Sequence, residues 1–312
     1  MRWSAKRVRH EAGYLALRAL LAGARLLPLP WLRALGRAVG FVVLRFFSKQ
    51  RGRALTHLAL AFPEHDEAWR RVTVARCARH LGTLLGEIGW LWSASPKAIL
   101  ARTEFVGLEH FTTSTSPSLG AMVITGHCGN WEWLNLALGA IGHPLTVAAR
   151  EIYDPRLDEV ARRLRGRFGG DTALRGQGAG TKLVGALRHG RSLGLLIDQD
   201  IAAPGVWVEF FGRPAWTPSG AALLALRTGA PMVPIFAARL PDGTMRVTAA
   251  PPIIPTRTSD LDATAAHLTA VLTGHIERQI REFPEQWVWL HKRWRHQPGE
   301  GETVWHADAS TS

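Results

Sequence analysis

From about residue 103 onward, short apolar runs alternate with stretches of helical spacing, a pattern that restricts the chain to the α/β class. Strands are expected near 121–125, 145–149, 193–197, 206–211, 231–238 and 244–249. Helices are expected between them: about 131–140, DPRLDEVARRLRGRF at 154–168, TKLVGALRHG at 181–190, a segment opening TPSGAALLALRTG at 217–229, and about 259–283. For the segment at 217–229 the expected N-cap is Thr217, with Pro218 at the first helical position and Gly229 past the end. Upstream, residues 51–96 have apolar positions at helical spacing. With 312 residues, 46% of them hydrophobic, the chain is long enough for one large core with an appendage.

The appendage is the first 53 residues. They carry ten Arg and two Lys against one acid, Glu11, which is +11 of the total formal charge of +13. A nucleic-acid enzyme would spread its cations along a groove through the folded body. Cations concentrated beside Leu, Trp and Phe, as in YLALRALLAGARLLPLPWLRALGRAVGFVVLRFF (14–47), suit a membrane surface instead, and no nucleic-acid partner is expected. Arg18, Arg25, Arg33, Arg37 and Arg45 leave no charge-free stretch approaching the roughly 20 residues that spanning requires, so the segment is expected to lie on the membrane. Arg18 and Arg25 share a helix face, as do Arg33 and Arg37, and Pro28 with Pro30 divides two helices. The alternative is a basic amphipathic pair that only packs on the domain. No cleavable signal peptide is expected, because Arg18 and Arg25 interrupt the one apolar core that could serve. The expected organisation is therefore 1–53 as membrane-associating helices, 54–296 as the α/β domain and 297–312 as a loose polar tail.

Four blocks could carry chemistry. In GHCGNWE (126–132), His127 and Glu132 stand five residues apart, which on one helix would separate them by about 140° at about 100° per residue. They could cooperate only if His127 stays in a loop, turned by Gly126 and Gly129, while Asn130 caps a helix with Glu132 in its first turn. The dipole there favours an ionised carboxylate, which could fix the imidazole's tautomer while the His takes a proton. A strand-to-helix turn with an idle surface His is the alternative, and Cys128 must be weighed as a thiol nucleophile. Cys77 is the other cysteine, and without any CxxC neither a disulfide framework nor a zinc knuckle is available.

The second block, LLIDQD (195–200), ends an apolar strand in Asp198 and Asp200, placed where ligands gather in open α/β sheets. With no His or further carboxylate nearby in sequence, a polar turn or an acceptor-orienting pair is expected there rather than a metal site. The third, FFGRPAWTPSG (210–220), would set Arg213 beside a helix N-terminus suited to a phosphate, or be an ordinary capped helix. Ser219 lacks the Gly-x-Ser-x-Gly elbow of a hydrolase. The fourth, FPEQWVWLHKRWR (283–295), is either a membrane-facing aromatic belt or a segment closing the core.

Together GHCGNWE, the DQD strand end, FFGRPAWTPSGAALLALRTGAPMVP and PEQWVWLHKRW, in that order, resemble the bacterial late acyltransferases of lipid A biosynthesis, a branch of the lysophospholipid acyltransferase superfamily. AREIYDPRLDEVARRLRGRFG (149–169) and RALTHLALAFPE (53–64) extend the resemblance to about residues 12–296. It implies a mixed, largely parallel central sheet flanked by helices, as in glycerolipid acyltransferases, preceded by an amphipathic helical segment. It also implies acyl transfer without a cofactor or a covalent intermediate, at the cytoplasmic face of the inner membrane. By analogy His127 is the general base and Glu132 orients it. A glycolipid or lysolipid hydroxyl attacks the thioester of acyl carrier protein or coenzyme A. Asn130, backbone N–H groups or Arg150 would meet the oxyanion, Asp198 and Asp200 the acceptor, and Arg213 a phosphate. The superfamily's signature more often has Asp at the position of Glu132, but Glu is usual in this branch. A thioesterase or lipase using water, and a non-catalytic lipid-binding protein, remain the competing readings.

Overall fold

Seven strands build one sheet in the computed structural model, which describes residues 11, 13–15, 18, 19, 21–152, 154–176 and 178–307. These are β1 (Thr103–Val106), β2 (Met122–Thr125), β3 (Leu145–Ala149), β4 (Asp171–Leu174), β5 (Ser192–Leu196), β8 (Met232–Arg239) and β9 (Met245–Ala249). In the order β1-β9-β8-β2-β5-β3-β4, every neighbouring pair is parallel except β8 and β9. β2 is buried at all four positions, which is why it reads as an unbroken apolar run rather than an alternation. β6 (Gly205–Phe210), β7 (Arg213–Pro218) and β10 (Val304–Trp305) make a second small sheet in the order β10-β6-β7. The α-helices described from end to end are α1 (Leu29–Phe46), α2 (Ser48–Ala61), α3 (Glu67–Leu91), α4 (Pro96–Leu100), α5 (Glu109–Thr112), α6 (Trp131–Ala140), α7 (Pro155–Arg165), α8 (Ala179–Arg188), α9 (Gly220–Thr228) and α10 (Leu261–Glu282). The expected mixed, largely parallel α/β architecture is present.

Local chemistry explains most boundaries. Asn130, Asp154 and Asp260 cap α6, α7 and α10, each accepting a hydrogen bond from a backbone N–H in the first turn. Gly229 ends α9 in the left-handed region at φ 77°. At the start of α9 the structure departs from expectation: Thr217 and Pro218 close strand β7, and the helix begins at Gly220 after Ser219, whose side chain makes no cap bond. β7 holds two prolines because it is an edge strand, where a missing N–H costs no ladder bond. Its hairpin with β6 turns through Phe211 and Gly212, both at positive φ (54° and 67°), the geometry that matches strand twist. Arg213 therefore sits in a hairpin, not at a helix N-terminus.

α1 packs along α3 through small residues. A Cβ on Gly36 would lie 2.2 Å from the Gly82 carbonyl oxygen, so the two backbones touch and no larger residue fits. On its outer side α1 leaves Trp31, Leu35, Val39, Val42 and Phe46 exposed. Arg33 departs from the helix face expected for it beside Arg37: it turns inward to Glu87 of α3, Nε to Oε1 2.8 Å. Among the described residues no helix is long and apolar enough to cross a membrane. Residues 1–10 and 308–312, which belong to the basic segment and the tail, lie outside the described residues.

Candidate active site

β2 and β5 are adjacent and parallel, with Thr125 paired to Leu196. His127 and Asp198 come two residues later on each chain, at the carboxyl end of the sheet where α/β proteins bind ligands. Asp198 Oδ1 lies 2.8 Å from His127 Nδ1, and Oδ2 accepts from the His127 backbone N–H, also at 2.8 Å. A third donor is the Trp287 indole N–H at 2.8 Å. Gly126 lets the loop close in, since a Cβ there would meet the Asp198 carboxyl group and Ile276 at 3.2 Å.

Burial alone would push the Asp198 carboxyl up. The charge His127 carries when protonated, its hydrogen bond and the Trp287 N–H outweigh burial and hold it well below the ordinary carboxylate range. An ionised Asp198 fixes the proton of the neutral ring on Nδ1, leaving Nε2 as the basic nitrogen. His291 stands 3.9 Å from Asp198, but burial pushes it down to about 4, so it stays neutral. The buried negative charge is thus left for His127 to balance when it becomes imidazolium.

The carboxylate that meets His127 is therefore Asp198 and not Glu132. Glu132 is in the first turn of α6, as expected, but both its oxygens are taken by Arg165 of α7: Nη2 to Oε1 2.6 Å, Nε to Oε1 3.0 Å and Nε to Oε2 3.2 Å. His127 and the Glu132–Arg165 pair line one cavity of about 240 Å³, with Arg150 and Arg175 near the strand ends and Val123, Leu134, Leu145, Val147 and Gly194 as an apolar wall. Such a cavity suits an apolar chain with a polar reacting end.

Asn130 caps α6 and donates from Nδ2 to Glu87 Oε2 at 2.8 Å, so both its polar groups are engaged inside the protein and neither faces an oxyanion. Asp200 is buried and holds His296, through the ring Nδ1 at 2.8 Å and the backbone N–H at 3.1 Å. Neither it nor Arg213 lines the cavity. Cys128 beside His127 is buried, and that burial, with Asp198 nearby, pushes its thiol far up, which denies it the thiolate a nucleophile needs. Trp287 and Trp289 are fully buried and Arg293 is enclosed, its Nη2 2.6 Å from Thr217 Oγ1, so this block closes the core.

Although no His neighbours Asp198 in sequence, folding brings two to it. His127, Asp198 and His291 offer ligand atoms within 4.8 Å of one another, the one such trio among the described residues. Both Asp198 oxygens are already spent on three N–H donors, an arrangement that fits proton transfer better than coordination.

A second network lies behind the loop. Gly129 is at φ 59°, with space for a Cβ only 1.7 Å from the Ala237 oxygen, and its N–H donates to Gln286 O. Its carbonyl meets His80 Nε2 at 3.1 Å, and His80 Nδ1 faces Arg239 Nη1 at 3.0 Å, so the imidazole is neutral, donating from Nε2 and accepting at Nδ1. Glu87, fully buried, takes Arg239 at 2.6 Å twice as well as Arg33 and Asn130. Arg165, Glu87 and Trp287 were not singled out for these roles from sequence. Arg165 is one of several arginines in RRLRGR, and nothing local marks the one that turns inward.

These buried imidazoles make stability depend on pH. Burial lowers His57 and His291 to about 4, and burial with Arg239 lowers His80 to about 3. With unfolded values near 6.5, the unfolded chain binds protons first, so stability is complete above about pH 6.5 and falls as pH drops toward about 4. A thermal midpoint that stays flat from pH 7 to 4 would show that these rings are not held neutral.

The sequence model of the family described as "Bacterial lipid A biosynthesis acyltransferase" matches residues 4–296. "Lipid A biosynthesis lauroyltransferase" from Escherichia coli (strain K12) is 28% identical over 277 residues, covering 87% of this chain and 88% of its own. "Lipid A biosynthesis palmitoleoyltransferase" from the same organism is 26% identical over 276 residues, 87% of each chain. "Phosphatidylinositol mannoside acyltransferase" from Mycolicibacterium smegmatis (strain ATCC 700084 / mc(2)155) is 26% identical over 195 residues, 61% of this chain and 62% of its own.

Proposed function

The chain belongs to the bacterial lipid A biosynthesis acyltransferase family and is an acyltransferase; from that premise we propose that it moves a fatty acyl chain from an acyl carrier protein or coenzyme A thioester to a hydroxyl of a glycolipid or lysolipid, with His127 as general base. The observation that carries this reading is the 2.8 Å bond from His127 Nδ1, at the polar end of a cavity with an apolar wall, to buried, ionised Asp198.

In the proposed reaction the donor's acyl chain lies along the cavity wall. His127 Nε2 takes the acceptor hydroxyl's proton as its oxygen bonds to the thioester carbonyl carbon. The oxyanion that forms is met by Arg165, held in place by Glu132, and by Arg150. On collapse the C–S bond breaks, the imidazolium returns its proton to the leaving sulfur, and an ester and a free thiol result. Asp198 is a positioning residue throughout, and Glu132 acts by fixing Arg165.

Peripheral contact with the inner membrane is part of the proposal. It is supported by the exposed stripe Trp31, Leu35, Val39, Val42 and Phe46 on α1, with Arg37 and Arg45 exposed beside it.

Purified protein given an acyl-carrier thioester and a lipid extract is expected to yield acylated lipid and free carrier thiol in equal amounts, and to leave the thioester intact without lipid. Fatty acid released equally fast without acceptor would make it a thioesterase. Thioester left whole in both arms would make it a lipid binder.

A further inference from the structure

Gln199 follows the base's carboxylate, Asp198, on the loop after β5 and lines the same cavity as His127. Its amide nitrogen, Nε2, stands 3.4 Å from His127 Nδ1 and 3.4 Å from His127 Nε2. Neither approach is a good hydrogen bond to the ring. Nδ1 carries the proton that Asp198 accepts, and the lone pair of Nε2 lies in the ring plane and points away from Nδ1. A donor on that axis would be much farther from Nδ1 than from Nε2, so an amide equidistant from both packs against the ring with its N–H groups uncommitted. Among the described residues the Gln199 side chain makes no other hydrogen bond.

The backbone holds this amide in place. Asp198, before it, is fixed by the His127 N–H, the His127 ring and the Trp287 indole, and Asp200, after it, by the backbone N–H and ring of His296. Both carboxylates are buried, so Gln199 is pinned from both sides while its side chain, half-buried, faces the cavity. The carboxamides of α6 and its cap are engaged inside the protein: Asn130 with the helix start and Glu87, and Asn135 through Nδ2 with the Arg165 carbonyl at 3.4 Å. The attacking oxygen has to come within about 3 Å of His127 Nε2 to give up its proton, and the thioester carbonyl lies next to that oxygen. Its own oxygen therefore gathers charge within reach of a donor 3.4 Å from Nε2.

We propose that Gln199 is a further catalytic residue, whose side-chain amide donates from Nε2 to the thioester carbonyl oxygen as that oxygen becomes the oxyanion. The inference rests on the acyltransferase reading and adds a directed, neutral donor to the charges of Arg165 and Arg150. As the acceptor oxygen bonds to the carbonyl carbon, the C=O π pair moves onto the carbonyl oxygen, where the amide N–H meets it and keeps its proton. When the C–S bond breaks, the pair returns to re-form C=O. An amide does this without setting another positive charge against the imidazole, which would oppose its protonation. The three residues Asp198, Gln199 and Asp200 then divide the work: the first orients the base, the second meets the oxyanion and the third anchors the loop on His296.

Gln199→Leu and Gln199→Met keep much of the side chain's bulk against the ring and remove the donor. Each is expected to lower kcat for acyl transfer by about 10²–10³-fold, the usual worth of one oxyanion donor, with KM for the thioester and the pH at which the base titrates unchanged. A binding experiment reads the same contact without turnover. A long-chain alkylphosphonate ester carrying the pantetheine arm, tetrahedral and anionic like the intermediate, is titrated calorimetrically into the parent and both variants. The matching alkyl thioether, uncharged and without a carbonyl, is titrated alongside. The variants are expected to lose about tenfold or more in affinity for the phosphonate and nothing for the thioether. Parental kcat in both variants, a loss confined to KM, or equal losses for phosphonate and thioether would each overturn the proposal. Transfer at the parental rate by the variants would sink this inference and leave the transferase reading standing. A Gln199-dependent phosphonate preference without any transfer by the parent would do the reverse.

Discussion

Replacing His127 by Ala is expected to slow acyl transfer by about 10²–10⁴-fold, the usual worth of a positioned general base, while the protein stays folded. The fold survives because Asp198 keeps two of its three donors, the backbone N–H at residue 127 and the Trp287 indole. Asp198→Asn separates orientation from structure. An amide of the same shape can present its NH₂ to Nδ1, which forces the ring proton to Nε2 and leaves no base facing the substrate. A loss comparable to that of His127→Ala is expected, with an unchanged thermal midpoint within a few degrees. Glu132→Gln is expected to act differently, by loosening Arg165 and so weakening oxyanion stabilisation, without altering the pH at which the base titrates. If Asp198→Asn transfers at the parental rate and Glu132→Gln shifts the pH profile, then Glu132 orients the base after all.

Replacing Glu87 by Leu is expected to cost about 3–5 kcal/mol of stability, because removing one partner of a buried ion cluster strands the others. Burial alone would raise the Glu87 carboxyl, but Arg239, Arg33 and the Asn130 amide more than reverse this, and the group stays ionised. Without it, Arg239 and Arg33 remain as unbalanced charges with side chains 13% and 11% exposed, and the Asn130 amide loses its acceptor. That amide belongs to the cap of α6, so the loop that carries His127 loosens together with the core. Urea unfolding measures the cost, and a midpoint corresponding to less than about 1 kcal/mol would mean that the cluster contributes specificity and not stability.

The β-strands most readily seen in the sequence are those buried on both faces, such as β2 and β8, whose apolar runs admit little else. β4 is four residues at the sheet edge, and β7 is a proline-bearing edge strand, so neither carries that signal. RPAWTPSG reads as a turn and a capped helix because Thr-Pro is a strong start signal in isolation. Pairing with β6 overrides it. The aromatic block at 283–295 had two readings that only burial could separate.

Local chemistry alone determined the conformation of GHCGNWE. Gly126, Gly129 and Asn130 require a loop that ends in a capped helix, and so they determined that His127 stands free of the helix while Glu132 begins it. The partner of each was decided by tertiary structure. His127 meets Asp198 because two strands 71 residues apart in sequence lie side by side in parallel register, and Glu132 meets Arg165 because α7 packs across the opening turn of α6. Hydrogen-bond geometry acts over about 3 Å in space. The periodicities that sequence exposes report which face a residue lies on, and so they can propose a base but not choose its carboxylate.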